Sequence, residues 1–265
     1  MINLKSILTW SSLSIAMVAL VGFTSVQHQS RVCSELEFIL DEDSGMFFVS
    51  KEDVDYKIKT VHDQVVGMPL SEINTSAIEE AVKQLPEVKS VAVYLTIDGK
   101  LRLNISQRKP LVRVMPKRGS GYYIDDEGKY MPLSKNYSAR VLVVSGEFVQ
   151  RYRNISMSYL AENDSIKQLT LFDEICELAQ FVEANPFWKA QIQHAYVNEN
   201  QEFELIPRVG SHNIELGNTT NLPGKFERLM IFYKEGLPYS DWNRYSKISL
   251  KFDNQVVCTF KETPL

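Results

Sequence analysis

The clearest pattern in the sequence is the stretch from Val88 to Ile105, which reads VKSVAVYLTIDGKLRLNI. Apolar residues occupy alternate positions on both sides of Asp98-Gly99. A period of two is typical of strands with one buried face, and the Asp-Gly pair is typical of a tight turn. This stretch therefore predicts a β-hairpin.

The length of the loop decides which residues face each other across this hairpin. A two-residue Asp98-Gly99 loop would set Leu95 opposite Arg102, with one of them on the wrong face. A three-residue loop, Asp98–Lys100, sets Leu95 opposite Leu103 instead. We therefore predict the longer loop, with its glycine in the left-handed conformation.

Two helices precede the hairpin. Ser50 with Asp53, and Ser76 with Glu79, have the spacing of a capping box, and apolar residues follow each pair at helical intervals. The apolar run Phe47–Val49 is predicted to end the first strand. The order strand, helix, helix, strand, strand places two helices on one face of a three-stranded sheet.

The rest of the chain is rich in strands, with two helical stretches. We therefore predict an α+β protein with one domain over residues 32–110 and a mixed β domain with helices over residues 111–265. The predicted strands of the second domain are Tyr122–Ile124, Tyr130–Met131, Val141–Val144, Ile192–Val197, Phe203–Ile206, Asn213–Leu216, Ile248–Phe252 and Gln255–Phe260, and its helices are Ser165–Glu183 and Leu222–Lys234.

The amino-terminal region has no charged residue between Lys5 and Arg31. An apolar run of about 20 residues is long enough to cross a bilayer as a helix. We predict a short cytoplasmic segment over residues 1–6 and a single transmembrane helix over residues 7–27. A cleaved signal peptide is the alternative, although its apolar stretch would be shorter and no small-x-small cleavage site is evident.

The distribution of charge suggests an orientation for this helix. Positive residues favour the cytoplasmic side, and Lys5 lies before the helix while Glu35 and Glu37 follow Arg31. The expected location is the cell inner membrane, single-pass, with the amino terminus in the cytoplasm and the bulk of the chain in the periplasm.

Several function classes find no support in the sequence. The chain has 29 basic and 33 acidic residues and a net charge of −4, whereas proteins that neutralise nucleic-acid phosphates are basic. No helical zinc pair and no Gly-x-Ser-x-Gly elbow occurs, and Asp125–Glu127 reads as a solvated turn. We predict no catalytic, cofactor-binding or metal site, no nucleic-acid partner and no small-molecule substrate. The scattered histidines and cysteines are His28, His62, His194, His212, Cys33, Cys176 and Cys258.

Five short motifs, taken in order, resemble the FtsQ/DivIB family of bacterial cell-division proteins, most closely its Bacteroidetes-like branch. They are Leu85–Val88 (LPEV), Ile105–Pro110 (ISQRKP), Gly121–Asp125 (GYYID), Glu204–Gly210 (ELIPRVG) and Lys251–Val257 (KFDNQVV). The resemblance implies a transmembrane helix, a POTRA domain and a β domain. It also implies a non-catalytic scaffold, septal in dividing cells, which helps control septal peptidoglycan synthesis.

The partners that the resemblance implies are other division proteins: the FtsB–FtsL pair, bound by strand addition at the end of the β domain, and an FtsK-type recruiter, bound through the POTRA domain. A terminal strand can be an edge whose unpaired backbone groups accept another strand. Large aromatic residues are enriched at interfaces. The predicted partner-binding residues are Gln255, Val256, Val257, Cys258, Thr259, Phe260, Tyr239, Trp242 and Tyr245.

Two other readings stay open at this point. One is a POTRA-containing envelope assembly or transport protein with a cleaved signal peptide. The other is an extracytoplasmic hydrolase whose catalytic residues meet only in space, with His194 or His212 as the base.

Overall fold

The computed structural model describes residues 31–40, 45, 47–135, 137–147, 171–237 and 243–261, with helical residues at 10, 13–15 and 17. These belong to two compact units, Met1–Gln107 and Arg108–Leu265. The predicted cytoplasmic segment 1–6 and most of the predicted transmembrane helix 7–27 lie outside the described residues. In the part of the chain that is described, no helix has both the length and the apolar character needed to cross a membrane.

The first unit is a three-stranded sheet with two helices, in the predicted order. The central strand β3 pairs in parallel with β1 and antiparallel with β2. Its elements are β1 (Glu35–Leu40), α1 (Lys51–Lys59), a 3₁₀ turn (Leu70–Glu72), α2 (Thr75–Lys83), β2 (Val88–Leu95) and β3 (Lys100–Gln107).

The first strand lies earlier in the chain than the prediction placed it. Phe47–Val49 is not a strand end, because the backbone N–H groups of Phe48 and Val49 donate to Oε1 of Gln107, at 2.9 Å and 3.0 Å, rather than to a neighbouring strand. Gln107 is 4% exposed, so its amide satisfies two buried donors. Hydrogen bonds from backbone N–H groups to one side chain far along the chain leave no periodic signal in the sequence.

The caps of the two helices agree with the prediction in one case and not in the other. Ser50 and Asp53 form the predicted capping box at α1. At α2 the cap is Asn74, whose Oδ1 accepts a hydrogen bond from the N–H of Ala77 at 3.0 Å, and Ser76 lies inside the helix. Asparagine caps a helix as well as serine does, so the local sequence allowed both positions.

The predicted hairpin is confirmed, but its loop is displaced by one residue. The loop is Ile97–Gly99, and Leu95 pairs with Leu101. Thr96 donates its N–H to the Lys100 carbonyl at 2.9 Å and accepts the Lys100 N–H on its hydroxyl at 3.0 Å, so the ladder closes one pair beyond Leu95. The loop glycine has the expected left-handed backbone, with φ +85°. The register moves by two residues, so the strand side chains keep their predicted faces. Ile97, predicted to pair opposite Leu101, instead lies in the loop and is exposed.

The second unit contains one nine-stranded sheet in the order β12-β11-β10-β9-β8-β7-β4-β5-β6. The pairs β4–β7, β7–β8 and β10–β11 are parallel, and the other pairs are antiparallel. The strands are β4 (Pro110–Pro116), β5 (Tyr122–Asp125), β6 (Tyr130–Pro132), β7 (Leu142–Gly146), β8 (Ile192–Val197), β9 (Phe203–Pro207), β10 (Asn213–Gly217), β11 (Tyr245–Ser249) and β12 (Val257–Phe260).

The described part of this unit includes the helices α3 (Phe172–Ala184), α4 (Pro186–Gln191) and α5 (Leu222–Ile231), which continues into a π turn (Phe232–Gly236). Sequence reasoning missed α4 and also β4. Helix α4 is only six residues long, too short to show a period, and it depends on Asn185, whose Oδ1 caps the N–H of Trp188 at 3.2 Å.

One core holds this unit together. Buried side chains of α3 and α5, among them Leu178 and Phe226, belong to the same cluster as inward-facing strand residues such as Val144, Leu205 and Ile248. The Trp188 ring packs edge-on against Phe226, with 4.9 Å between centroids. Burying side chains of this size contributes roughly 1.5–3 kcal/mol each, so the helices and the sheet stabilise one another.

Gly146, at the end of β7, tests how closely the central strands approach. Its φ is +137°, and a Cβ there would lie 2.1 Å from the Val197 carbonyl oxygen. We expect Gly146→Ala to cost at least about 3 kcal/mol, because left-handed strain adds to overpacking against backbone. Gly128→Ala is the control: φ is +75° and the nearest atom lies at 3.9 Å, so only about 1–2 kcal/mol of strain is expected. Denaturant unfolding of both variants measures the difference, and equal losses would contradict the account.

Gln107 gives a matching test in the first unit. Gln107→Ala leaves two buried N–H groups without their acceptor, which is expected to cost about 2–4 kcal/mol. The control is Asn104→Ala on the same strand, which removes only an exposed hydrogen bond to Tyr94 and should cost under about 0.5 kcal/mol. Hydrogen exchange in residues 47–107 reports the local free energy of opening. Similar exchange in the two variants would show that Gln107 does not hold this segment.

Candidate functional site

The last strand, β12, lies at one end of the nine-stranded order. It pairs antiparallel with β11, from Ser249 opposite Val257 to Tyr245 opposite Phe260. No described strand pairs with its other side. The chain reaches this position through a turn in which Asn254 adopts φ +58°, a conformation that asparagine tolerates well.

The direction of the backbone groups on β12 follows from one hydrogen bond at its end. The N–H of Lys261 donates to the Arg244 carbonyl at 3.0 Å and therefore faces the β11 side. Backbone groups alternate in direction along a strand, so Thr259 and Val257 also face β11. Cys258, between them, directs its N–H and C=O to the open side. This is the feature that another strand can use.

The side chains of β12 alternate between the two faces of the sheet, one towards the core and one away from it. Val256 and Cys258 are partly buried and pack against the core of the unit. Val257 and Thr259 are exposed on the opposite face, with Val257 41% exposed. Burial raises the pKa of the Cys258 thiol, so this group is a neutral thiol near pH 7 rather than a nucleophilic thiolate.

An aromatic cluster lies where β11 begins and β12 ends. The rings of Tyr245 and Phe260 stack with 5.3 Å between centroids, and Phe232 meets Tyr245 edge-on at 5.8 Å. The Arg244 guanidinium lies over the Phe260 ring, 4.8 Å from its centroid. Phe260 is nevertheless 55% exposed. A large aromatic residue that is held in place and still half open has the properties of an interface anchor.

A β-bulge fixes the register beneath this cluster. The pairing of β11 with β12 shifts between Tyr245 and Lys247, which leaves Ser246 as the extra residue. Its hydroxyl donates to the carbonyls of Thr259 and Phe260 at 3.2 Å and 3.3 Å. A bulge increases the local twist of a strand pair, and here its extra residue also bonds to two carbonyls at the end of β12.

The charges beside the edge are largely paired. Lys247 forms an ion pair with Glu215 at 2.9 Å, and Lys251 forms one with Glu202 at 2.7 Å. The hydrogen bond from Lys247 lowers the pKa of Glu215, so both charges persist at neutral pH. These two ion pairs therefore add no strong excess charge to this flank of the sheet.

The predicted partner-binding residues fall into four groups. Val257, Cys258, Thr259 and Phe260 form β12, Gln255 and Val256 precede it, and Tyr245 begins β11. Tyr239 and Trp242 lie outside the described residues. Sequence reasoning missed Arg244, Ser246 and Phe232, because their roles depend on the register of β11 with β12 and on the π turn, neither of which has a sequence signature.

The hydrolase alternative would use His194 or His212 as the base, and each of these side chains is hydrogen-bonded to a hydroxyl group. Nε2 of His194 and Oγ of Ser145 are 2.6 Å apart on adjacent strands. Desolvation by burial lowers the pKa of His194, so its ring is neutral near pH 7. His212 lies buried, 3.0 Å from the Tyr233 hydroxyl. This hydrogen bond links β10 to the π turn.

The acidic turn after β5 is only partly as predicted. Asp125 is 1% exposed, and its carboxylate accepts from Arg108 at 2.8 Å and from the N–H groups of Glu127 and Lys129 at 3.0 Å and 2.6 Å. It is a buried turn cap rather than a solvated residue. Within the described ranges, no group of three or more His, Cys, Asp or Glu residues is placed to hold a metal ion.

Comparison with known proteins assigns both units. The family described as FtsQ/DivIB, C-terminal related, matches residues 109–259, which is more than half of the chain. A POTRA-like domain matches residues 31–106. No curated protein matches the chain. The chain belongs to the FtsQ/DivIB family of cell-division proteins.

Proposed function

We propose that this protein is a non-catalytic scaffold of the division machinery that binds the FtsB–FtsL pair by adding a strand to β12. Residues 7–27 anchor it in the inner membrane, with residues 1–6 in the cytoplasm and the rest in the periplasm. The POTRA-like unit receives an FtsK-type recruiter. At the septum of dividing cells the scaffold helps control peptidoglycan synthesis.

The observation that carries the proposal is the open edge of β12. Cys258 directs its backbone N–H and C=O to the side on which no described strand lies, and a half-exposed Phe260 lies two residues further along. Unpaired edge groups are a template for another chain. A site that combines such groups with an anchored aromatic side chain favours a peptide strand as its ligand.

The geometry suggests how an added strand would be held. Its backbone would bond to the outward groups of β12, each bond contributing about 0.5–1.5 kcal/mol. One row of its side chains would lie beside Val257 and Thr259, and the other row beside Cys258 and the ring of Phe260. Backbone bonds give affinity for any strand, so the apolar row beside Phe260 would select the partner.

Cys258→Pro tests strand addition. Proline removes the Cys258 N–H, which faces the open side, and leaves the bonds to β11 intact, so the chain should fold but no longer co-purify with its FtsB–FtsL pair. Cys258→Ala controls for the loss of the side chain and should still bind. Val257→Pro is a second control, because it removes an N–H that faces β11 and should instead loosen β12 itself.

The contradicting result is a folded Cys258→Pro protein that retains FtsB–FtsL binding. Circular dichroism and thermal unfolding of the same preparation establish that it is folded.

Phe260→Ala tests the aromatic anchor. The ring is 55% exposed and stacked on Tyr245, so its removal should weaken FtsB–FtsL binding at least about tenfold with little change in stability. The matched control is Phe252→Ala, which removes a ring that is 49% exposed in the turn before β12. Titration calorimetry compares the two. Equal affinities would exclude Phe260 as an anchor.

A further inference from the structure

The amino-terminal end of the first unit is joined to the tip of its hairpin. The Arg31 guanidinium donates to the Ile97 carbonyl at 3.1 Å. The N–H of Ser34 donates to the Gly99 carbonyl at 2.9 Å. The hairpin tip therefore lies at the end of the unit where the chain enters from residues 1–30.

Three exposed apolar residues lie at this end. Ile97, at the hairpin tip, is 92% exposed, Val32 is 49% exposed and Val66 is 43% exposed. The segment after Val66 runs beside residue 33, since the Gly67 N–H donates to the Cys33 carbonyl at 2.7 Å. We refer to Val32, Val66 and Ile97 as the amino-terminal patch.

Single exposed hydrophobic residues are common on protein surfaces, so the position of the patch is what matters. The anchor proposed above, on which this inference rests, ends at Gln27. Three residues separate Gln27 from Arg31, and four extended steps reach at most about 14 Å. The head-group layer on one side of a bilayer is about 5–8 Å thick. Arg31, and with it the hairpin tip, must therefore lie close to the membrane surface.

We infer that the amino-terminal patch contacts the lipid bilayer, with Ile97 entering the interfacial layer beside the anchor. Apolar side chains gain free energy by leaving water for this layer. Arg31 lies beside Ile97 and can bind lipid phosphates as a bidentate donor. Asp98 follows Ile97 and offsets that charge, so the contact depends on apolar insertion rather than on anionic lipid.

The test uses the full chain in phosphatidylcholine nanodiscs, with a polarity-sensitive NBD fluorophore on a cysteine introduced by Ile97→Cys. Cys176 and Cys258 are replaced by alanine, while Cys33 is 1% exposed and remains. The matched control is Ser90→Cys, an exposed position on β2, the strand that leads to the tip, about 20 Å from Ile97. A second set of nanodiscs contains lipids with a nitroxide close to the head group.

The proposal requires two changes at Ile97 that are absent at Ser90. The NBD emission shifts to the blue in nanodiscs, and nitroxide lipids quench it at least about twofold more strongly than at the control site. If the chain co-elutes with nanodiscs but either change is absent, the proposed lipid contact of the amino-terminal patch is contradicted and the anchor is not. A chain that fails to co-elute with nanodiscs contradicts the anchor first, and the two failures are therefore distinguishable.

Discussion

Among the described strands, β12 pairs with β11 alone, and this one-sided pairing is the constraint on which the proposed function depends. The pairing satisfies the backbone groups of Val257 and Thr259 and leaves those of Cys258 directed outward. Water can satisfy these groups in the free protein, because an edge is solvated. A partner strand would replace that water with backbone bonds and bury the apolar row beside it.

An open edge is also a liability, because it can pair with the wrong chain. Several features of this edge limit that risk. Strand β12 is only four residues long, the bulge at Ser246 twists its end, and Arg244 lies over the Phe260 ring. In the proposed complex a partner would have to match a short, twisted strand and fit beside one particular aromatic ring, which would make the edge selective.

The sequence predicted elements whose signal is local and missed contacts that are distant. Alternating apolar residues predicted the hairpin, and the position of the last strand in the chain predicted an edge of the sheet. The hairpin loop is displaced because the hydroxyl of Thr96 closes an extra pair, and Phe47–Val49 is no strand because Gln107 captures its N–H groups. Arg244 lies over the Phe260 ring only because of the register between β11 and β12, which the sequence does not reveal. Such side-chain contacts form only in the folded protein, and no rule of residue spacing predicts them.

Residue-resolved hydrogen exchange of β12 by NMR, with and without the FtsB–FtsL pair, tests the central claim most directly. In the free protein the amide of Cys258 should exchange rapidly, while those of Val257 and Thr259, bonded to β11, exchange slowly. Addition of the pair should then protect Cys258. An amide at Cys258 that is already protected in the free chain, or one that stays unprotected in a formed complex, would contradict strand addition at this edge.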